Sequence, residues 1–293
     1  MGAPGIGWIA PGFILSVGLI YFCIVYSGYI ATLDWDGMSP VRKSVGLDNF
    51  TNALTNKLFW GALRHTVIFY VCTFLGQTVI GFIFAALLQS KIKLAVVYKV
   101  LVFIPVVIAP AIMAPVHRII FATDGTLNSF LRAIGLGHFA QPWLSQTSTA
   151  LWVVILVQIW TSVGFGFILF FAAMGQIEPE VLEAARIDGA GNIRVLWSVV
   201  LPDVRGTVVV LAILNAIGSL KLFDFPYLLT AAGPAYSTDF LGTYIYRETA
   251  VMGHVGYAAA LSLLLLVLAV GMSIIMSARG RERDKRKAVE ADA

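Results

Sequence analysis

Six long apolar runs, separated by shorter polar segments, set the pattern of this chain. Leu, Val, Ile and Phe occur on every side of each run, without the strict alternation that the strands of a membrane barrel require. A helix of about 18 or more apolar residues can cross the roughly 30 Å hydrocarbon core of a bilayer and satisfies its own backbone groups there. The pattern therefore predicts an all-α integral membrane protein with about six transmembrane helices. The runs cover residues 8–31, 63–88, 95–121, 149–174, 206–229 and 255–277.

The composition supports a membrane protein. Of the 293 residues, 59% are hydrophobic and 12% are charged, whereas soluble domains carry about 25% charged residues. The first apolar run lacks a basic leader and a small-residue cleavage site, so we expect a membrane span there rather than a signal peptide. We predict three segments: the first span with its outer loop (1–62), the main transmembrane domain with five helices (63–278) and a basic cytoplasmic tail (279–293).

Basic residues concentrate on one side of the predicted spans. Six of the 20 Lys and Arg residues lie in the tail, and six more lie in or beside segments 89–94 and 175–205, which makes 12. Because positively charged loops stay in the cytoplasm, this bias predicts cytoplasmic N- and C-termini. The net charge of +4 does not indicate nucleic-acid binding, because the basic residues are not spread over a groove-like patch. The basic tail residues are Arg279, Arg281, Arg283, Lys285, Arg286 and Lys287.

Few residues suggest metal or covalent chemistry. Cys23 and Cys72 both lie inside apolar runs, where a free cysteine behaves as a small hydrophobic residue. The four histidines are scattered along the chain without metal-ligand spacing. We therefore predict no catalytic residue, metal site or cofactor in this chain.

The segment 175–205 is the most informative loop. Pro179 suits the first turn of a helix, where its missing N–H costs nothing. Gly189 and Gly191 indicate a helix end, and Asn192 can cap a second helix. Pro202 should then break the chain before the fifth span. The pattern predicts two short helices joined by a glycine turn at the cytoplasmic surface. The first helix could dock into a groove of a partner protein, or it could be an ordinary amphipathic surface helix.

The spacing within this loop resembles the "EAA" loop of permease subunits in binding-protein-dependent ABC importers. The matching residues are Glu183, Ala184, Ala185, Gly189, Val199, Leu201 and Pro202, with Val199 where the family usually has Ile. Further motifs resemble the carbohydrate-importing branch, of the maltose and glycerol-3-phosphate type. These motifs are Ile177–Glu178–Pro179–Glu180, Asp188–Gly189–Ala190, Phe223–Asp224 and the segment 229–234, in which Ala232 replaces a glycine.

The resemblance implies a type I importer permease fold and a set of partners. A second permease subunit, expected to be a different chain, would complete the pathway. Two cytoplasmic ATP-binding subunits would bind ATP and magnesium, and an external solute-binding protein would deliver a sugar, oligosaccharide or sugar-alcohol phosphate. The expected location is the inner membrane of a bacterium or archaeon. The residues expected to couple to the ATPase are Glu183, Ala184, Ala185, Asp188, Gly189, Leu201 and Pro202.

Polar residues inside the predicted spans are candidates for the solute pathway, because such residues are costly in a membrane and usually face the bundle interior. Lys221 and Asp224 lie three residues apart and could pair with each other or bind solute. Aromatic stacking on sugar could come from Trp160 or Phe223. The alternative for each of these residues is a role in helix packing. The candidates for the pathway are Gln158, Ser162, Asn215, Ser219, Lys221 and Asp224.

Two other classes of protein also fit a bundle of six helices. An ion-coupled secondary carrier would transport without an ATPase, and a membrane enzyme would turn over a lipid substrate alone. The chain has no phosphate-binding loop of the G-x-x-x-x-G-K-[ST] type. An ATP-driven mechanism would therefore draw its energy from a partner subunit.

Overall fold

The computed structural model describes residues 6–89 and 93–291. The described residues are mostly helical. Two strands of two residues each pair antiparallel, with Leu33 opposite Ser44. The elements are α1 (Ile6–Ala31), β1 (Leu33–Asp34), β2 (Lys43–Ser44), α2 (Asp48–Thr55), α3 (Lys57–Gln89), α4 (Ala95–Val107), α5 (Pro110–Ile120), α6 (Thr126–Ala133), α7 (Ala150–Met174), α8 (Pro179–Ile187), α9 (Asn192–Val195), α10 (Leu201–Asp203), α11 (Arg205–Leu220), α12 (Asp224–Thr230), α13 (Leu241–Tyr246) and α14 (Val255–Ala291). Short 3₁₀ and π segments lie at Gly137–Phe139, Leu196–Val200 and Arg247–Val251.

Four described helices are long and apolar enough to cross a membrane: α1, α3, α7 and α14. Two bent pairs, α4 with α5 and residues 192–203 with α11, raise the number to six if each pair is one span. The predicted all-α membrane fold with about six spans is thus confirmed. Helix α14 continues beyond the last predicted span as far as Ala291. The side chains of the predicted basic tail, and Lys91 in segment 89–94, lie outside the described residues.

The third predicted span, 95–121, is wrong as a continuous helix. The chain bends by 97° between α4 and α5. Ala109 is extended, with φ −59° and ψ 140°, because the ring of Pro110 disfavours the helical conformation at the residue before it. Pro110 then occupies the first turn of α5, where a missing N–H costs nothing.

The fifth predicted span, 206–229, is also interrupted. Helix α11 ends at Leu220, and α12 begins at Asp224. The predicted break at Pro202 is displaced as well, because Pro202 lies inside α10 and the 64° bend follows that helix. A π-helical segment, Leu196–Val200, precedes this proline. Its wider turn accommodates a ring that would otherwise clash with the carbonyl one turn earlier.

Helices α3 and α7 form the centre of the bundle. Gly166 of α7 lies against Gln77 of α3, and a Cβ atom built at Gly166 would stand 2.9 Å from Gln77 Cγ. Only glycine allows the two backbones to approach this closely. Around this contact lie buried apolar residues such as Phe82, Phe167 and Phe170. In contrast, α1 packs mainly against α14 and leaves large apolar side chains exposed, as a lipid-facing helix does.

A buried charged cluster lies on the segment between α12 and α14. Arg247 pairs with Asp239, and Thr243 Oγ1 donates a 2.6 Å hydrogen bond to the Asp239 carboxylate. His254 Nδ1 lies 2.9 Å from Glu248 Oε2. Burial raises the pKa of the Asp239 carboxyl, while the hydrogen bond from Thr243 and the charge of Arg247 act in the opposite direction. Buried charges are tolerated when they are paired and hydrogen-bonded in this way.

Candidate transport cavity and coupling surface

The two interrupted spans meet at one cavity. The break between α4 and α5 contributes Ile108 and Pro110, and the break between α11 and α12 contributes residues 221–223. Helices α3 and α7 close the remaining sides, and the cavity holds about 370 Å³. Its polar lining residues are Gln77, Gln158, Thr161, Ser162, Lys221 and Asp224. We refer to it as the break cavity.

Four of the six predicted pathway residues line the break cavity: Gln158, Ser162, Lys221 and Asp224. The described side chains of Lys221 and Asp224 form no ion pair with each other, and both are exposed. Ser162 Oγ donates a 2.7 Å hydrogen bond to the backbone oxygen of Gln158, one turn earlier. The structure thus brings Gln158 and Ser162 of α7 and both charged residues to one space.

The other two predicted residues, Asn215 and Ser219, do not line the cavity. Asn215 Nδ2 donates a 2.6 Å hydrogen bond to Gln77 Oε1, and Gln77 Nε2 donates a 2.9 Å bond to the backbone oxygen of Ser162. Ser219 is 3% exposed and therefore lies in the packed interior. Asn215 supports the cavity wall through Gln77, which sequence reasoning missed although a glutamine inside an apolar run is a visible signal.

An aromatic group adjoins the break cavity at Phe223. The ring of Phe223 stacks on Tyr227 with 5.0 Å between centroids, and Tyr246 lies 5.1 Å from Phe223. The two tyrosine hydroxyls are 3.4 Å apart. We call these three residues the aromatic platform; both tyrosines were missed from sequence. Trp160 is the other predicted stacking residue. Its ring centroid lies 5.2 Å from that of His117, and it lines a different, apolar groove.

The predicted coupling loop folds as two short helical segments with a glycine turn between them. Pro179 is at the first turn of α8, as predicted, and Gly191 rather than Asn192 precedes α9. Gly189 has φ +79°, a conformation that glycine adopts without strain. The N–H of Ala190 donates to the oxygen of Ala185, and the N–H of Gly189 donates to that of Arg186, both at 3.0 Å. These two bonds form a Schellman cap.

One side of α8 packs on its own chain and the other side is open. Leu182 and Ala185 contact the apolar core cluster around Phe170 and Val195. Ala185 is therefore turned toward the protein, so the small-residue face predicted for a partner is only partly available. The predicted coupling residues Glu183, Ala184, Asp188, Gly189 and Pro202 are exposed, and Leu201 is half-buried.

Three large apolar side chains extend this exposed surface, and sequence reasoning missed them. Ile187 is 86% exposed, Ile193 is 75% exposed and Trp197 is 60% exposed. Ile187 precedes the Gly189 turn in the sequence, and Ile193 and Trp197 follow it. Exposed apolar groups of this size that adjoin charged residues are typical of protein interaction sites. We call α8, the Gly189 turn and α9 with Trp197 the coupling surface.

The chain belongs to the family described as binding-protein-dependent transport system inner membrane component, which residues 68–282 match. It is 30% identical over 275 residues to the probable ABC transporter permease protein YurN of Bacillus subtilis, covering 91% of this chain and 94% of that protein. It is 28% identical to the multiple sugar-binding transport system permease protein MsmF of Streptococcus mutans, over 92% and 93% of the two chains.

The fold matches a solved ABC transporter. The crystal structure of a bacterial alginate ABC transporter in complex with alginate pentasaccharide-bound periplasmic protein superposes with a TM-score of 0.77. The match covers 94% of both chains at 22% identity. The predicted type I permease fold is therefore confirmed. The chain is a multi-pass permease subunit of an ABC importer.

Proposed function

We propose that the break cavity is this chain's part of the pathway for a sugar, oligosaccharide or sugar-alcohol phosphate. The observation that carries the proposal is that both helix breaks open onto the same polar cavity. Broken helices expose backbone polar groups, and within a membrane such groups are tolerated where they line a cavity. Amides, hydroxyls and separate charges on Gln158, Ser162, Lys221 and Asp224 supply hydrogen bonds for a polyhydroxylated solute.

The aromatic platform supports a carbohydrate rather than an inorganic ion. An aromatic ring offers a flat apolar face for the C–H side of a sugar, and a tyrosine hydroxyl adds a hydrogen bond at its edge. Phe223 belongs both to the cavity lining and to the platform. The names of the relatives agree, since MsmF is a multiple sugar-binding transport system permease and the solved neighbour imports alginate.

The coupling surface is proposed to dock on an ATP-binding subunit. Exposed Ile187 and Trp197 would enter an apolar groove, with Glu183 and Asp188 at the charged rim. We further propose two such subunits, which bind ATP and magnesium, a second permease chain and an external solute-binding protein. This chain would then carry no catalytic step itself. The coupling surface and both termini would face the cytoplasm.

The test is ATP-driven uptake by the assembled importer in proteoliposomes. The solute is first identified by the thermal shift of the cognate solute-binding protein against a panel of oligosaccharides and sugar-alcohol phosphates. Phe223→Ala should then lower solute uptake roughly twofold to tenfold, since aromatic contacts of this kind contribute about 0.5–1.5 kcal/mol. Phe130→Ala, which removes an exposed ring elsewhere, should leave uptake unchanged.

Two outcomes would contradict these proposals. Equal uptake by the Phe223→Ala and Phe130→Ala importers would remove the cavity from the pathway. Uptake by the isolated chain under an ion gradient, without ATP, would indicate a secondary carrier. Glu183→Lys tests the docking separately, because it should weaken co-purification of the ATP-binding subunit while the membrane fold stays intact.

A further inference from the structure

A second cavity lies at the end of the bundle opposite α8. It holds about 420 Å³ between the start of α3, the residues just before and at the start of α7, and segment 235–239. Helix α7 begins at this cavity and ends, at Met174, next to α8. Its polar lining residues are Lys57, Arg64, His65, Thr147, Ser148, Tyr236, Ser237 and Asp239. We call it the cationic cavity.

Two unpaired cations give this cavity its charge. Lys57 and Arg64 are seven residues apart on α3 and so lie on one face of the helix. Neither side chain makes a hydrogen bond or ion pair with a described residue. The carboxylate in the lining, Asp239, is already paired with Arg247 and hydrogen-bonded by Thr243. The free charge that faces the cavity is therefore positive.

Two further polar groups at the cavity wall lack a partner among the described residues. His65 Nδ1 lies 3.0 Å from the backbone oxygen of Asp239. A carbonyl only accepts, so Nδ1 carries the hydrogen, and Nε2 has no partner among the described residues. Ser237 Oγ is buried and has no hydrogen-bond partner in the described part of the chain. A buried hydroxyl without a partner is costly, and this one lies within the cavity wall rather than on its surface.

An apolar groove begins where the cationic cavity ends. Trp152 lines both spaces. The groove holds about 820 Å³ between α3, α4 and α7, and its lining runs from Cys72 to Phe84 on α3 and from Trp152 to Val163 on α7. At 1.5 Å per residue these stretches are about 17 Å long, close to half of the roughly 30 Å hydrocarbon core. The groove therefore matches the depth of one leaflet.

We propose that these two spaces together bind one anionic phospholipid. The phosphate headgroup lies in the cationic cavity, and an acyl chain follows the groove past Trp152. A free anion would use the cations and leave the apolar groove uncovered. A helix from another membrane subunit would fill the groove but would leave Lys57 and Arg64 without a counter-charge. Only an anionic amphiphile of one leaflet's depth matches both spaces.

The first experiment measures which lipid the assembled importer retains. The complex is incubated with equal amounts of phosphatidylglycerol and phosphatidylcholine of the same acyl chains, and bound lipid is counted by native mass spectrometry. Wild type should retain phosphatidylglycerol preferentially. Lys57→Gln with Arg64→Gln should lower this preference by about fivefold per charge, because each basic residue near an anionic lipid surface contributes about that factor. Both side chains are exposed, so the variant should fold.

The matched control removes the same two charge types elsewhere. Lys43→Gln with Arg132→Gln should leave the preference unchanged, since neither residue lines the cationic cavity. The groove is tested by Leu156→Trp, which should fill it and lower retention of both lipids at a constant ratio. Ile119→Trp, at an exposed position outside the groove, should lower neither.

Three results would overturn the proposal. The first is an unchanged preference in the Lys57→Gln, Arg64→Gln complex. The second is full displacement of the bound lipid by inorganic phosphate alone, which would mark a site for free anions. The third is a complex that retains no lipid while Leu156→Trp weakens its assembly with the second permease subunit, which would assign the groove to that subunit.

Discussion

The coupling surface and the break cavity are built in opposite ways. The coupling surface comes from one continuous stretch of about 20 residues, and its turn is held by backbone bonds at Gly189 and Ala190. The break cavity draws its lining from α3, α4, α7 and the break between α11 and α12, which are far apart in the chain. The first depends on local conformation and the second on how helices approach each other. Substitutions in the wall of the break cavity should therefore lower the stability of the fold, whereas substitutions at the coupling surface should mainly weaken docking.

The largest effect is expected where helices touch. Gly166→Val would place side-chain atoms against Gln77, where a Cβ alone already stands at 2.9 Å. Overpacking of this kind costs about 1–3 kcal/mol, and we expect the upper end because α3 and α7 form the centre of the bundle. The free energy of unfolding, measured by denaturant titration in micelles, should fall accordingly. Gly271→Val is the control, because no described atom lies within 4 Å of a Cβ built there, and its free energy of unfolding should fall much less. Equal losses would contradict the close-approach argument.

A loss of about 2 kcal/mol is expected for Gln77→Leu. The change removes the 2.6 Å bond from Asn215 and the 2.9 Å bond to Ser162, and each buried group left without a partner costs about 1–3 kcal/mol. Thr78→Val is the matched control on the next residue. The hydroxyl of Thr78 is buried and has no hydrogen-bond partner among the described residues, so its removal should be neutral or slightly stabilising. A stability loss at Thr78 as large as that at Gln77 would argue against this network.

At the coupling surface, Gly189→Val should act on docking more than on the fold. A branched residue at φ +79° is strained, at a cost of about 1–2 kcal/mol, and the turn between α8 and α9 should distort. Co-purification of the ATP-binding subunit should drop about tenfold, with unfolding of the membrane domain unchanged. Gly191→Val is the control, since Gly191 has φ −68° and ordinary backbone. Normal docking of the Gly189 variant would contradict the role of the turn.

The smallest effect is expected for Ile187→Ser. The side chain is 86% exposed, so the permease alone should keep its stability within about 0.5 kcal/mol. If about half of the Ile187 side chain is buried in the ATPase groove, the loss is about 1–1.4 kcal/mol and affinity for that subunit should fall roughly fivefold to tenfold. Leu47→Ser, at another exposed apolar position, should leave affinity unchanged. Equal affinity of both variants would remove Ile187 from the interface.

Sequence reasoning succeeded where the signal is local. Long apolar runs predict spans because a bilayer accepts helices, whose backbone hydrogen bonds are made within the segment. Pro179 predicts the start of α8 because its ring fixes its own φ, and Gly189 predicts the end because glycine can adopt a positive φ. The interrupted spans show where such reasoning stops. Pro110 was a readable signal for the first break. The break at residues 221–223 contains no proline, and the next one along the chain is Pro226, inside α12.

The chain by itself therefore determined the membrane class, the number of spans and the helical turns of the coupling loop, because these depend on residues near each other in sequence. Tertiary structure alone decided that two breaks share one cavity, that Gln77 connects α3 to α7 and α11, and that Ala185 faces inward. Those features depend on the distance and rotation between packed helices. A hydrophobic pattern shows that a helix is buried in a membrane, but the face that meets a neighbour is set by shape, here by the close approach at Gly166.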